Sequence, residues 1–217
     1  KKIFTIEDPV EYRFPTVMQV QVNRKIGMDF SKGLRAFLRS DPGIIQVGEI
    51  RDIETAKIAM EAAITGHLVL TTLHTNDAPS CLTRLQEMGV EPYVISSAIS
   101  GVVAQRLVRL LCDNCKKKID VPVLSLNKDI RSILKGETIY KAVGCKRCNF
   151  TGYSGRTGVY SVLVITKRIR ELVMQRKNVD EIKDVAVEEG MKTLLEAGAY
   201  KVAEGRTSLE ELYRVVF

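Results

Sequence analysis

Four of the five cysteines fall in two pairs, Cys112-x-x-Cys115 and Cys145-x-x-Cys148, with 29 residues between the pairs. Each pair offers two thiolates from one tight turn, and two such knuckles complete a tetrahedral zinc ion. Four thiolates leave no open position for substrate, so the expected role is structural. The spacer is longer than the roughly 15–20 residues usual in zinc ribbons. Two disulfides, or unconnected surface cysteines, are the competing readings. The sequence carries no secretory pattern, which disfavours disulfides. The remaining cysteine, Cys81, lies among Leu82, Leu85 and Met88 and is expected in the core as a small apolar residue.

A second group of polar residues stands at the ends of apolar runs. Lys2–Ile6 leads into Glu7-Asp8, Ile44–Val47 into Gly48-Glu49, and Leu68–Leu73 into His74. In an open parallel sheet, ligands bind beyond the carboxyl ends of the strands, so these groups would share one edge. Carboxylates there suit a phosphate held through Mg²⁺, which needs only one or two of them. Arg35 and Arg39 are spaced i, i+4 and point away from the apolar face of Phe30, Leu34, Phe37 and Leu38. They form either a solvated basic face or an anion site, including an arginine finger reaching a neighbour's phosphate. His67 reads equally as a site residue and as a plain hydrogen-bonding one, whereas His74, at a strand end, favours function.

The elements that would position these groups alternate. Lys2–Ile6, Val17–Val22, Ile44–Val47 and Leu68–Leu73 read as strands, the second half-exposed and the last two buried. Helices are expected around Phe30–Leu38, over Glu54–Ile64, after Asn76-Asp77 with Pro79 in the first turn, and over Val94–Leu111 as one long apolar helix. Val159–Val164 reads as a strand. The chain from Lys167 onward reads as helical, with Ser208 and Glu211 as a capping box for the last helix. Strands alternating with helices imply an α/β fold with a parallel sheet.

The chain has 217 residues, 45% hydrophobic and 27% charged, which is ordinary globular composition. No apolar run approaches the roughly 18 residues of a membrane-spanning helix. Residues 1–100 hold 11 basic and 12 acidic side chains, residues 101–160 hold 12 and 4, and residues 161–217 hold 10 and 10. The whole excess of +7 therefore traces to the cysteine segment at +8. A zinc-containing nucleic-acid binder is one explanation, but Tyr140, Phe150, Tyr153 and Tyr160 are its only aromatics, and none interleaves with Lys116–Lys118. No specific nucleic-acid partner is expected. The three lysines read either as a solvated loop or as a docking patch for an acidic protein domain.

Several stretches resemble a known family in order along the chain. Thr5-Ile6-Glu7-Asp8-Pro9-Val10-Glu11 resembles the aspartate box of the secretion ATPase superfamily, and Asp41–Asp52 (DPGIIQVGEIRD) its Walker B. Thr65–Asn76 (TGHLVLTTLHTN) resembles the histidine box, Leu34–Arg39 the arginine-bearing helix, and Cys145-x-x-Cys148 with Thr151–Gly158 the signature after the second knuckle. The likeness is to the C-terminal part of type II secretion or type IV pilus extension motors. Retraction motors lack the four cysteines. Two departures stand out: Gly43 replaces an expected aspartate, and no G-x-x-x-x-G-K-[ST] occurs in the sequence. The resemblance therefore implies a chain that begins after the phosphate loop and has little ATPase activity alone.

What the resemblance implies is a RecA-like sheet over residues 1–110, a zinc-binding insert over 111–158 and a helical C-terminal part over 159–217. It implies a homohexamer on the cytoplasmic face of the inner membrane, held there through a platform protein and other machinery components. Glu49 and Glu7 would share magnesium binding and base catalysis, and His74 would contact the γ-phosphate. Arg35 and Arg39 would stabilise developing charge, while Asp8, Glu11 and His67 would contact the nucleotide. The cofactors would be Mg²⁺ with ATP, and zinc on Cys112, Cys115, Cys145 and Cys148.

Overall fold

The computed structural model describes residues 1–120, 126 and 128–217, in two compact units. The first unit takes Lys1–Val102 and Val164–Val185, and the second Val103–Leu163 and Ala186–Phe217.

The first unit is built on four parallel strands: β1 (Ile3–Glu7), β2 (Met18–Gln21), β3 (Ile44–Val47) and β4 (Leu68–Thr71), in the order β2-β1-β3-β4. Two helices, α1 (Phe30–Leu38) and α2 (Ile53–Ile64), connect them as crossovers. Asp29 caps α1 by accepting from Lys32 N at 2.8 Å, and Asp52 caps α2 by accepting from Thr55 N at 2.8 Å. Such caps satisfy amides that a helix start leaves without intrahelical partners. Ile6, Leu34, Ile45, Val47 and Ala56 are fully buried, and Phe4 stacks on Phe37 with ring centroids 5.1 Å apart. The core thus lies between α1, α2 and one face of the sheet.

Helices α3 (Pro79–Glu87), α4 (Pro92–Ala98) and α6 (Lys167–Met174) complete this unit, with Pro79 in the first turn of α3 as expected. Cys81 is buried, and burial pushes its thiol up to about 11.

Two expectations fail. The strand over Leu68–Leu73 ends at Thr71 and is not buried: it forms the sheet edge, with Leu68 and Leu70 about half exposed. The long helix over Val94–Leu111 does not exist, because α4 stops at Ala98 and β5 (Gly101–Leu111) follows. The buried positions Ala104 and Val108 are four apart, a spacing that satisfies both the helical period and an even number of strand residues. Periodicity could not arbitrate, and Ser100-Gly101 supplies the break.

In the second unit β5 pairs with β8 (Tyr153–Val164), which starts earlier than the expected Val159. Its far half shows two-residue alternation: Val159, Ser161 and Leu163 are buried, whereas Tyr160 and Val162 are half exposed. A short antiparallel ribbon joins β6 (Lys117–Ile119) to β7 (Ile139–Lys141). Helices α5 (Lys128–Leu134), α8 (Leu194–Ala203) and α9 (Leu209–Val216) bury Ile130, Leu134, Leu195, Ala199, Val202 and Leu212 together with Ile139. The chain passes from the first unit to the second within α7 (Val179–Glu188), between Val185 and Ala186.

Ser208 caps α9 as expected, accepting from Glu211 N at 3.1 Å. Glu211 does not reciprocate. Its carboxylate is fully buried and gripped by Arg109 (Nη2 at 2.6 Å, backbone N at 3.0 Å) and Arg214 (Nη2 at 2.7 Å). Burial alone would raise its pKa, but the arginine and backbone donors outweigh that and hold it down at about 2. The stabilisation is therefore complete above the unfolded value of 4.5 and lost as pH falls toward 2. Glu211→Gln should cost about 3 kcal/mol at pH 7, the free-energy equivalent of that shift. In urea unfolding, the gap between parent and variant should close as pH falls from 4.5 to 2.

Candidate functional site

The parallel arrangement places the carboxyl ends of β1, β3 and β4 at one edge, and with them Glu7, Glu49 and His74. Gly48 makes the approach possible. A Cβ there would stand 3.2 Å from Ile6 O and 3.4 Å from Glu7 Cα, so any larger residue would push against the end of β1 where β3 leaves the sheet.

Glu49 is the centre of this edge. Its side chain is only 14% exposed, and Arg51, two residues on, grips both carboxylate oxygens: Nη2 donates to Oε1 at 2.7 Å and Nε lies 2.6 Å from Oε2. His74 Nε2 lies 3.3 Å from the same Oε2. The hydrogen bond from Arg51, helped by His74 and against the cost of burial, holds the carboxyl below its ordinary range. Oε2 is buried, and despite these short ion-pair distances no N–H is aimed at it. An ionised carboxylate at this edge is a ligand Mg²⁺ can take, one or two of them beside water and phosphate oxygens, once Arg51 and His74 give up Oε2. The residues present therefore fit Mg²⁺.

Glu7 borders a 440 Å³ cavity lined also by Thr5, Glu11, Tyr12, Phe14 and Gln19. Asp8 pairs with Arg24 at 3.7 Å. Arg35 pairs with Glu54 in the first turn of α2 at 2.7 Å, and Arg39 caps the far end of α1. Among the described residues, neither arginine pairs with Glu7 or Glu49. His67 precedes β4 and so stands at the opposite end of that strand from His74. Its Nδ1 lies 3.0 Å from Ala62 O, closing the end of α2. Arg51 was overlooked by sequence reasoning. The available signal was its i+2 spacing from Glu49, which in extended chain places two side chains on one side.

The four cysteines of the two knuckles meet. Their sulfurs lie within 4.8 Å of one another, with Cys112–Cys145 at 4.0 Å and both Cys115–Cys148 and Cys145–Cys148 at 3.8 Å. A zinc ion with Zn–S bonds of about 2.3 Å requires a tetrahedron edge of about 3.8 Å. None of the four is joined in a disulfide, and the sulfur separations are those of ligands to one shared ion. Burial would raise the Cys148 pKa, but backbone N–H groups of Cys145 and Gly152 donate to its sulfur, both at 3.2 Å, and bring it down to about 6. Cys145 is also lowered, chiefly by Asn114 Nδ2 at 3.3 Å, while burial and neighbouring thiols push Cys115 up to about 11. Four crowded sulfurs cannot all carry charge without a cation between them. Gly152 ties the knuckles together: its carbonyl accepts from Cys112 N at 2.9 Å, its φ is +79°, and a Cβ would meet Ala142 Cβ at 2.6 Å.

The lysine run behaves less uniformly than the sequence implied. Lys116 turns inward, pairing with Asp113 at 2.7 Å, donating to Gly205 O at 3.2 Å and covering the Tyr140 ring at 5.1 Å. Only Lys117 and Lys118 are exposed, with Lys117 directly opposite Lys141 across the ribbon.

Residues 1–214 match the family described as "Type II/IV secretion system protein". The type IV pilus assembly ATPase PilB of Thermus thermophilus is 52% identical over 214 residues, which are 98% of this chain and 24% of that protein. The type II secretion system protein HxcR of Pseudomonas aeruginosa is 49% identical over 213 residues, 98% of this chain and 42% of that one. The chain thus spans between a quarter and two fifths of the length of these relatives. Among solved structures, the ADP-bound pilus retraction motor PilT superposes with a TM-score of 0.67 at 28% identity, covering 98% of this chain and 52% of that one. The α/β fold with a RecA-like parallel sheet is the expected one.

Proposed function

The chain belongs to the type II/IV secretion system protein family, and on that premise we propose that it is the C-terminal portion of a hexameric ATPase whose hydrolysis of ATP drives pseudopilus or type IV pilus assembly. The supporting observation is the shared strand edge, where the nearly buried carboxylate of Glu49 is held between Arg51 and His74.

In this reading Glu49 holds Mg²⁺ or the attacking water, Glu7 is the second acid, and either takes the proton. When bound, Mg²⁺ neutralises charge on the β- and γ-phosphates. Arg51 and His74 keep the Glu49 carboxylate oriented, and His74, which is 88% exposed, contacts the γ-phosphate. Asp8 and Glu11 border the nucleotide. Arg35 and Arg39 act on a phosphate carried by a neighbouring copy, Arg35 after leaving its exposed pair with Glu54. Phosphoryl transfer asks mainly for such positioning and charge stabilisation. Zinc on the four cysteines clips the second unit. Docking to an inner-membrane platform protein keeps the assembly peripheral, and no helix among the described residues is long and apolar enough to cross a membrane.

The intact protein should release phosphate from ATP only with Mg²⁺ present. The 217 residues alone, without the glycine-rich loop that supplies amide donors and a lysine, should bind Mg-ATP no tighter than about millimolar by isothermal titration. Micromolar binding by this chain would place the phosphate site elsewhere, and an intact protein that leaves ATP unhydrolysed would end the ATPase reading.

A further inference from the structure

One side chain on the sheet ties Glu7 to the loop beside it. In the parallel β1/β2 pair, Gln19 lies opposite Thr5, and Thr5 and Glu7 are two residues apart on one face. The Gln19 amide makes three contacts. Nε2 donates to Glu7 Oε1 at 3.0 Å and to Tyr12 O at 2.9 Å, and Oε1 accepts from Phe14 N at 2.7 Å. Flipping the amide would set its oxygen against a carboxylate and a carbonyl and its NH₂ against a donor, so its neighbours dictate one orientation.

The consequence falls on the carboxylate. Thr5 Oγ1 donates to the same Glu7 Oε1 that Gln19 engages. Two donors converge on Oε1, which leaves Oε2 as the oxygen able to accept a proton or a ligand. Gln21, on the same strand, also tethers the 8–17 loop, with its Oε1 accepting from Val10 N at 3.2 Å, but it does not bond Glu7.

We propose that Gln19 is a positioning residue for Glu7: it pins the carboxylate through Oε1 and couples its orientation to the loop that carries Asp8 and Glu11. This rests on the reading of Glu7 as one of the two acids of ATP hydrolysis. A carboxylate misplaced by about 1 Å loses up to about a hundredfold in rate, so the effect belongs in kcat rather than in nucleotide affinity.

Gln19→Leu removes all three bonds at nearly constant volume, and Gln21→Leu, opposite Glu7 in the strand register, loosens the same loop without removing a hydrogen bond to Glu7. In the intact protein, Gln19→Leu should lower kcat about 10- to 100-fold with KM for ATP changed less than about twofold, a pattern expected of an interaction that matters in the transition state. Gln21→Leu should leave both constants near parent values. Equal losses in the two variants, or a kcat for Gln19→Leu within about threefold of parent, overturn the proposal. A second arm does not depend on turnover: the Glu7 carboxyl-carbon NMR resonance of the 217-residue chain should move in Gln19→Leu, and move further than in Gln21→Leu, which sits opposite Glu7 but removes no hydrogen bond to it. An unmoved resonance in Gln19→Leu overturns the proposal outright. A moved resonance with no hydrolysis by the intact parent upholds the contact and ends the ATPase reading instead.

Discussion

Glu49→Gln in the intact protein is expected to cut steady-state ATP turnover by a factor of about 10² to 10³ while leaving nucleotide binding largely unchanged, a loss of about 3–4 kcal/mol of transition-state stabilisation. The amide keeps the shape of the side chain but gives up its charge. Three contacts depend on that charge: the two-point grip of Arg51, the approach of His74, and whatever cation Oε2 receives. Binding should survive because the amide leaves in place the other groups at the strand edge. Since Arg51 holds the carboxyl below its ordinary range, Glu49 is ionised throughout neutral pH, and loss of its charge should enter the rate profile only on the acid side of 4.5. Turnover of the glutamine variant within threefold of the parent at pH 7 would show that Glu49 is not the central acid.

The second large effect concerns the sulfur cluster. The purified chain should carry about one zinc per molecule, and Cys148→Ala should abolish stoichiometric binding, because three thiolates must then find a fourth ligand in a knuckle shaped for sulfur. Structural zinc is worth on the order of 10 kcal/mol in small domains, where binding and folding are one event. Here α5, α8 and α9 share a core with Ile139 of β7 and Ile119 of β6, so chelation should unravel the knuckles before those helices and the β6/β7 ribbon. Amide protection around Gly144 and Gly152, which donate to Cys115 and Cys148, should be lost first in hydrogen exchange. Metal should leave as pH falls, since the ligands must be deprotonated to bind. Metal analysis by mass spectrometry tests the stoichiometry. A denatured, unreduced chain that titrates as one thiol instead of five would replace zinc with two disulfides.

Much of this molecule is legible from residue types and spacing. The paired cysteines, the acidic strand ends, the capping residue Ser208 and the proline opening α3 are local signals. Each acts within a turn or two of chain, so the sequence itself contains the physics. The order of motifs carried the family likeness for the same reason.

Other features depend on neighbours distant in sequence, and there local patterns mislead. Ala104 and Val108 fit a helix or a strand equally well, and β5 is a strand because β8 pairs with it. Leu68 and Leu70 look like core, yet β4 is an edge strand with only β3 beside it. Ser208 and Glu211 match a capping box, but two arginines, one 102 residues away, outbid the helix amide for the carboxylate. Lys116 and Lys117 are adjacent and identical, yet Tyr140, Asp113 and the Gly205 carbonyl draw one inward and leave the other in solvent. Composition and spacing determined which chemistry this chain can carry. Which oxygen of Glu7 remains free, and which groups hold Glu49, was decided only by tertiary structure, because hydrogen bonds are short-ranged and directional and their partners are set by where strands end.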